Sequence, residues 1–169
     1  MTRLPGRQHA VKLPNESAAR TPAGDALTEL IIPTIRLRAL FTTAGEAIAR
    51  PAGQTLARWL VLEAVAQGPR TVAQIARTMG IARQSVQRVA DLLEQDGLTA
   101  YAENPDHRRA QLVRLTPHGE HALHTIQQAQ RLWADAVGAQ IGESELRRTG
   151  AVLDRLLRVL VNHRQQGGY

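Results

Sequence analysis

Not one cysteine occurs among the 169 residues, which removes disulfides, thiolate metal sites, cysteine nucleophiles and thiol-based oxidation sensing together. Aromatic residues are nearly as scarce: one Phe, two Trp and two Tyr, 3% of the chain. Hydrophobic residues make up 43%, so a core can form, but it must be built from Leu, Val, Ile and Ala. No run approaches the roughly 20 consecutive apolar residues that a membrane-crossing helix needs. The N-terminus has no continuous apolar stretch of the secretory kind either, because Pro5, Gly6, Arg7, His9, Lys12 and Pro14 interrupt it. A cytoplasmic protein with no membrane partner is expected. Phosphate-cradling glycine loops, metalloprotease helices and nucleophile elbows are missing too, and Ser85 and Ser144 have no His at usable local spacing. Catalysis therefore finds no support, and no cofactor is expected.

What the chain does have is positive charge, a net +6, which favours a polyanionic partner. Half of it sits in residues 1–24, where Arg3, Arg7, Lys12 and Arg20 face Glu16 alone. That stretch lacks hydrophobic periodicity and reads as a flexible basic arm. Helical spacing begins after it: Leu27, Leu30, Ile31, Leu37, Phe41, Ala44 and Ile48 share one face over 25–48. Asp25 is its expected N-cap and Pro33 its expected kink. Further helices are expected at 55–67, 72–79, 83–96, 117–140 and 144–164, with two short strands at 98–102 and 110–116. Thr71 and Gln74 fit a capping box at the start of helix 72–79, and Thr116-Pro117 fit an N-cap with proline in the first turn of helix 117–140. The expected fold is mainly α: six helices with a small β-hairpin embedded after the fourth.

The segment 71–116 carries the function. It is helix, glycine turn, helix and hairpin, the order of a helix-turn-helix motif whose second helix enters the DNA major groove. On helix 83–96, Val86, Val89, Ala90 and Leu93 form a packing stripe. Gln84, Gln87, Arg88, Asp91 and Gln95 lie opposite, with Arg83 and Ser85 flanking the first turn. Arg can pair bidentately with guanine and Gln with adenine. Residues 71–90 contain Arg77, Arg83 and Arg88 but no acid, and acids start only at Asp91. A merely solvated helix would mix both signs. Candidate DNA contacts are Thr71, Arg83, Gln84, Ser85, Gln87 and Arg88, joined by Arg108 and Arg109 in the hairpin.

Four stretches, Thr71–Ala76, Arg83–Val86, Leu93–Leu98 and Arg108–Thr116, resemble the MarR family of bacterial regulators. The resemblance is strongest over 55–121 and looser over 25–164. Its most specific part is the hairpin run ending in Leu115-Thr116, followed by Gly119. It implies a winged helix-turn-helix held in a two-fold dimer by the N- and C-terminal helices. It also implies a wing at 103–109 whose Arg109, beside Arg108, reaches a minor groove or its phosphates, where narrow A·T-rich grooves concentrate negative potential. The domain division expected is a basic arm at 1–24, a dimerisation helix at 25–54, the winged helix-turn-helix at 55–116 and dimerisation helices at 117–169. Two positions depart from the family pattern. His107 stands where an Asp usually braces the wing arginine, and Ala82 stands where Ser or Thr often caps the recognition helix.

Other groupings are weaker. His118, His121 and His124 fall near 0°, 300° and 240° on their helix, roughly opposite its apolar stripe, an outward polar face and not a metal site. Phe41 and Trp59 are candidates for lining the small-molecule effector pocket that the resemblance implies, although scattered aromatics also serve as plain core. The expected function is a homodimeric, sequence-specific regulator acting on pseudo-palindromic double-stranded DNA, a repressor released by a small molecule. Two alternatives stand beside it: a winged-helix module that binds protein and little specific DNA, and a small ligand-processing enzyme, which would need a nucleophile or metal cluster.

Overall fold

A computed structural model describes residues 20–107 and 109–167. The chain divides into two compact units, residues 1–40 and 41–169. In the first unit, helix α1 (Pro22–Glu29) starts three residues earlier than periodicity indicates. Its N-cap is Thr21, whose Oγ1 accepts from the Gly24 amide at 3.1 Å, and Pro22 takes the position where a missing N–H costs nothing. Asp25, expected as the cap, lies instead in the first turn, near the helix's positive end. Of the arm expected over 1–24, residues 1–19 lie outside the described residues, and 22–24 belong to α1.

The kink expected at Pro33 is a full break one turn earlier. Helix α2 (Ile31–Ala49) begins after Leu30. Pro33 has no N–H to give the Glu29 carbonyl, and its ring crowds that turn, so the two helices meet where the bond would have been. Counting this interrupted pair as one, the described residues hold six helices.

The second unit contains the end of α2, a 3-10 turn (Arg50–Ala52), α3 (Leu56–Val65), α4 (Val72–Met79), α5 (Arg83–Gln95), α6 (Pro117–Ile141) and α7 (Glu143–Gln165). Its core is aliphatic, as composition requires: Leu62, Ile75, Val86, Ala90, Leu93 and Ile126 are each 0% exposed. The sheet has three strands, one more than the hairpin expected. A two-residue strand β1 (Arg70–Thr71) joins β2 (Thr99–Ala102) and β3 (Leu112–Leu115) in the antiparallel order β1-β3-β2. Tyr101 pairs with Val113 and Ala102 with Leu112, while Arg70 pairs with Val113 from the other side.

Thr116 is the node that joins hairpin to helix. Its Oγ1 accepts from the Gly119 amide at 3.1 Å, capping α6, and donates to the Gly97 carbonyl at 2.6 Å. Gly119 is packed so closely that a Cβ there would sit 1.9 Å from the Leu98 carbonyl oxygen. The Leu-Thr run and the glycine three residues on are thus one construction, fastening the end of α5 to the start of α6.

No helix among the described residues is long and apolar enough to cross a membrane. The apolar stripe on α7 stays uncovered, with Leu153 40%, Leu157 60% and Leu160 38% exposed and no residue of that helix buried.

Candidate nucleic-acid interface

The turn between α4 and α5 sets the geometry of the site. The capping box expected at Thr71 is present: its Oγ1 accepts from the Gln74 amide at 3.2 Å, and Gln74 Oε1 accepts from the Thr71 amide at 2.8 Å. Helix α4 ends at Gly80, whose φ of 65° is the left-handed conformation that glycine tolerates. The Gly80-Ile81-Ala82 turn then starts α5 with Ala82 as N-cap and no side-chain cap. The Ala82 carbonyl accepts from the Ser85 and Val86 amides at 3.0 and 3.3 Å, but Ala82 has no side-chain oxygen, which leaves the Arg83 and Gln84 amides for water or a phosphate.

Helix α5 divides as its periodicity indicates. Val86, Ala90 and Leu93 are fully buried, and Arg83, Gln84, Ser85 and Arg88 are exposed. At the far end, Arg58 of α3 holds the helix down: its guanidinium pairs with the Asp96 carboxylate and donates to the Leu92 carbonyl at 3.1 Å. A cation at a helix C-terminus also opposes the negative end of the helix dipole. The arginines that face outward are therefore at the leading end, and the bound one is at the trailing end.

Two candidate contacts are less free than the others. Thr71 has its hydroxyl engaged inside the capping box, where it also donates to Gln74 Oε1 at 3.0 Å. Gln87 is half-buried, and its Nε2 donates to Asp91 Oδ1 at 2.8 Å and to Tyr101 Oη at 2.7 Å. Tyr101 Oη in turn donates to Asp91 Oδ1 at 2.6 Å. Burial, and then the bond to Asp91, push the phenol's pKa upward. This cluster ties α5 to strand β2. Nothing in helical spacing marks it, because Tyr101 reaches α5 through the pairing of the hairpin.

The wing tip is organised by Asn104. Its Nδ2 donates to the Ala110 carbonyl at 2.9 Å, and its Oδ1 accepts from the Asp106 amide at 3.0 Å. The Asn104-Pro105 pair is a turn signal legible in the chain, and it supplies a brace at a wing whose usual Asp position holds His107. Arg109 is exposed within this turn, and among the described residues it pairs with neither Glu103 nor Asp106. Arg108 lies outside the described residues.

The two aromatic candidates part company. Trp59 lines a cavity of about 440 Å³ between α3 and α6, with Glu63, Gln127, Gln130 and Arg131. Its Nε1 donates to Glu63 Oε2 at 3.3 Å, and Gln127 Nε2 reaches the same carboxylate. Phe41 instead stands edge-to-face on Trp133, ring centres 6.0 Å apart, and does not line that cavity. His118, His121 and His124 are all exposed, as their angles indicate.

An uncapped helix with a basic leading face, set beside an arginine-bearing hairpin, defines the winged-helix class of DNA-binding proteins. The MarR family model matches residues 52–110. An uncharacterized protein of Mycobacterium tuberculosis is 34% identical over 133 residues, covering 79% of this chain and 93% of that one. The fold matches a Staphylococcus aureus MarR in complex with salicylate and kanamycin, with a TM-score of 0.70 at 18% identity over 82% of this chain and 94% of that one. It also matches the M. tuberculosis transcriptional regulator MOSR in complex with DNA, with a TM-score of 0.63 at 23% identity over 76% and 96% of the two chains. The chain belongs to the MarR family of winged-helix transcription regulators.

Proposed function

We propose that the protein is a homodimeric, sequence-specific DNA-binding regulator, a repressor released from pseudo-palindromic double-stranded DNA by a small molecule. One observation carries the DNA reading: the exposed leading face of α5 presents Arg83, Gln84, Ser85 and Arg88, with no acid before Asp91. These residue types pair with base edges and phosphates. Arg109, with Arg108 beside it, extends the surface from the wing toward a minor groove or its phosphates. Thr71 and Gln87 belong to the same surface, with the Thr71 hydroxyl and the Gln87 amide nitrogen already bonded within the fold.

The dimer reading is supported by the uncovered apolar stripe of α7 and, separately, by the exposed Leu27, Ile31 and Ile35 of the first unit. Contiguous apolar surface of this kind marks an interaction face, and two-fold pairing is the commonest way to cover it. The recognition helices of the pair then read half-sites one helical turn apart, roughly 34 Å. The effector reading is supported by the Trp59 cavity, whose volume of about 440 Å³ lies in the range of small-molecule sites, and by the salicylate held by the S. aureus relative. An effector releases DNA only by binding the incompetent arrangement more tightly.

Selection of bound duplexes from a random pool tests this reading. The expected result is a two-fold symmetric site bound far more tightly than a scrambled duplex, with affinity falling steeply as salt rises. Enrichment of no sequence at all overturns it in favour of a protein-binding module.

A further inference from the structure

Gln87 lies midway along the exposed face of α5, yet its amide group is not free to turn. Its terminus meets two oxygens, Asp91 Oδ1 at 2.8 Å and Tyr101 Oη at 2.7 Å, and these two are themselves 2.6 Å apart. The hydrogen inventory allows one arrangement. A carboxylate only accepts, and the phenol's single hydrogen is spent on that carboxylate, so both oxygens offer lone pairs to Gln87. An amide oxygen on that side would face two acceptors. The nitrogen must occupy it.

The amide oxygen is thereby turned away from the cluster. It accepts no hydrogen bond among the described residues, and it is not one of the sealed, unpartnered polar atoms. Gln87 borders an open concavity along α5 together with Gln84, Arg88 and Gln95. A glutamine that reads adenine bidentately needs both halves of its amide, donating to N7 and accepting from N6. Here the donating half is engaged.

We propose that Tyr101 and Asp91 act as positioning residues that make Gln87 an acceptor-only reader of the major groove. It then selects a base presenting an exocyclic amino group, adenine N6 or cytosine N4, over guanine or thymine, which place a carbonyl oxygen there. It does so without the preference for adenine that a free glutamine shows. The inference rests on the DNA-reading function proposed above and names part of its specificity.

The test uses full-length wild type, Gln87→Ala and Tyr101→Phe, with the site recovered from a random pool and each base pair replaced in turn. Gln87→Ala identifies the position where discrimination is lost. At that position wild type is expected to bind adenine and cytosine within about threefold of each other and to lose about fivefold or more on guanine or thymine. Tyr101→Phe keeps the ring in its packing but removes one of the two acceptors, so one Nε2 hydrogen is released for adenine N7 while Asp91 still holds the other. Adenine should then gain about fivefold or more over cytosine, a change of base ratio that a merely loosened fold does not produce. A wild-type preference for adenine over cytosine of that size, or an unchanged ratio in Tyr101→Phe, overturns the inference. Specific binding with no position relaxed in Gln87→Ala overturns it alone. Absence of any sequence preference in wild type overturns it together with the proposed function.

Discussion

Helices α5 and α7 draw on the same aliphatic residues, and their apolar faces meet opposite ends. In α5, Val86, Ala90 and Leu93 are 0% exposed, sealed by α3, α4 and the sheet. In α7, Leu153, Leu157 and Leu160 stand 38–60% exposed, with nothing of that helix buried. An apolar period states that a face needs covering. It does not state by what. For α5 the cover is local in the chain, and its polar face is thereby held in a fixed orientation. For α7 the cover must come from elsewhere, and a second copy is the proposed source.

The sharpest way to break this contrast is at Gly119, where the winged-helix unit is closed. Gly119→Ala pushes a methyl into the Leu98 carbonyl, and backbone cannot move aside as a flexible side chain can. A loss of about 3 kcal/mol is expected, at the upper end of overpacking costs, read as a lower urea midpoint. An unchanged midpoint would mean that α5 and α6 are not fastened there. Leu157→Asp addresses the other helix. It should leave the buried core of the second unit intact while costing about 2 kcal/mol or more of association. Light scattering at micromolar concentration should then fall from twice the chain mass toward one. A wild-type mass of one chain contradicts the dimer outright.

Smaller effects sharpen the comparison. Asp96→Ala removes the carboxylate from Arg58, whose side chain is 19% exposed, while Asp96 itself is 52% exposed. Solvent screening of that half-open pair limits the expected loss to about 1 kcal/mol in urea unfolding. Gly150→Ala lies on α7 with nothing within 4 Å of the added methyl, so it should stabilise the helix by about 0.5–1 kcal/mol. A loss of thermal stability there would show another surface packed against α7 at Gly150.

The elements were legible wherever cap and period agreed. Thr71 with Gln74, and Thr116 with Pro117, mark starts that the structure keeps, and of the stripe expected on α5 Val86, Ala90 and Leu93 are buried and Val89 partly so. The misses have physical reasons. Strand β1 is two residues long, too short for alternation to register, and exists because Arg70 and Thr71 lie against β3. The first helix starts at a Thr-Pro pair whose signal the following apolar period overshadowed, and Pro33 acts on the turn before it and not at itself. Arg83, Gln84, Ser85 and Arg88 could be placed from a helical wheel because exposure on one helix is a local property. The tie between Gln87 and Tyr101 spans fourteen positions and depends on where the hairpin folds back, which no single helix records.

The central claim is that two elements meet DNA differently, α5 at base edges and the wing at phosphates or the minor groove. Fluorescence anisotropy of Arg88→Ala and Arg109→Ala, on the selected site and a scrambled duplex at several salt concentrations, tests it most directly. Arg88→Ala should cost about 1–3 kcal/mol on the selected site and relax preference at one or two base pairs. Arg109→Ala should weaken both duplexes and lower the salt slope by about one for each phosphate left without its arginine. If Arg109→Ala binds both duplexes like wild type at every salt concentration, the wing does not touch DNA and the division between the two elements is wrong.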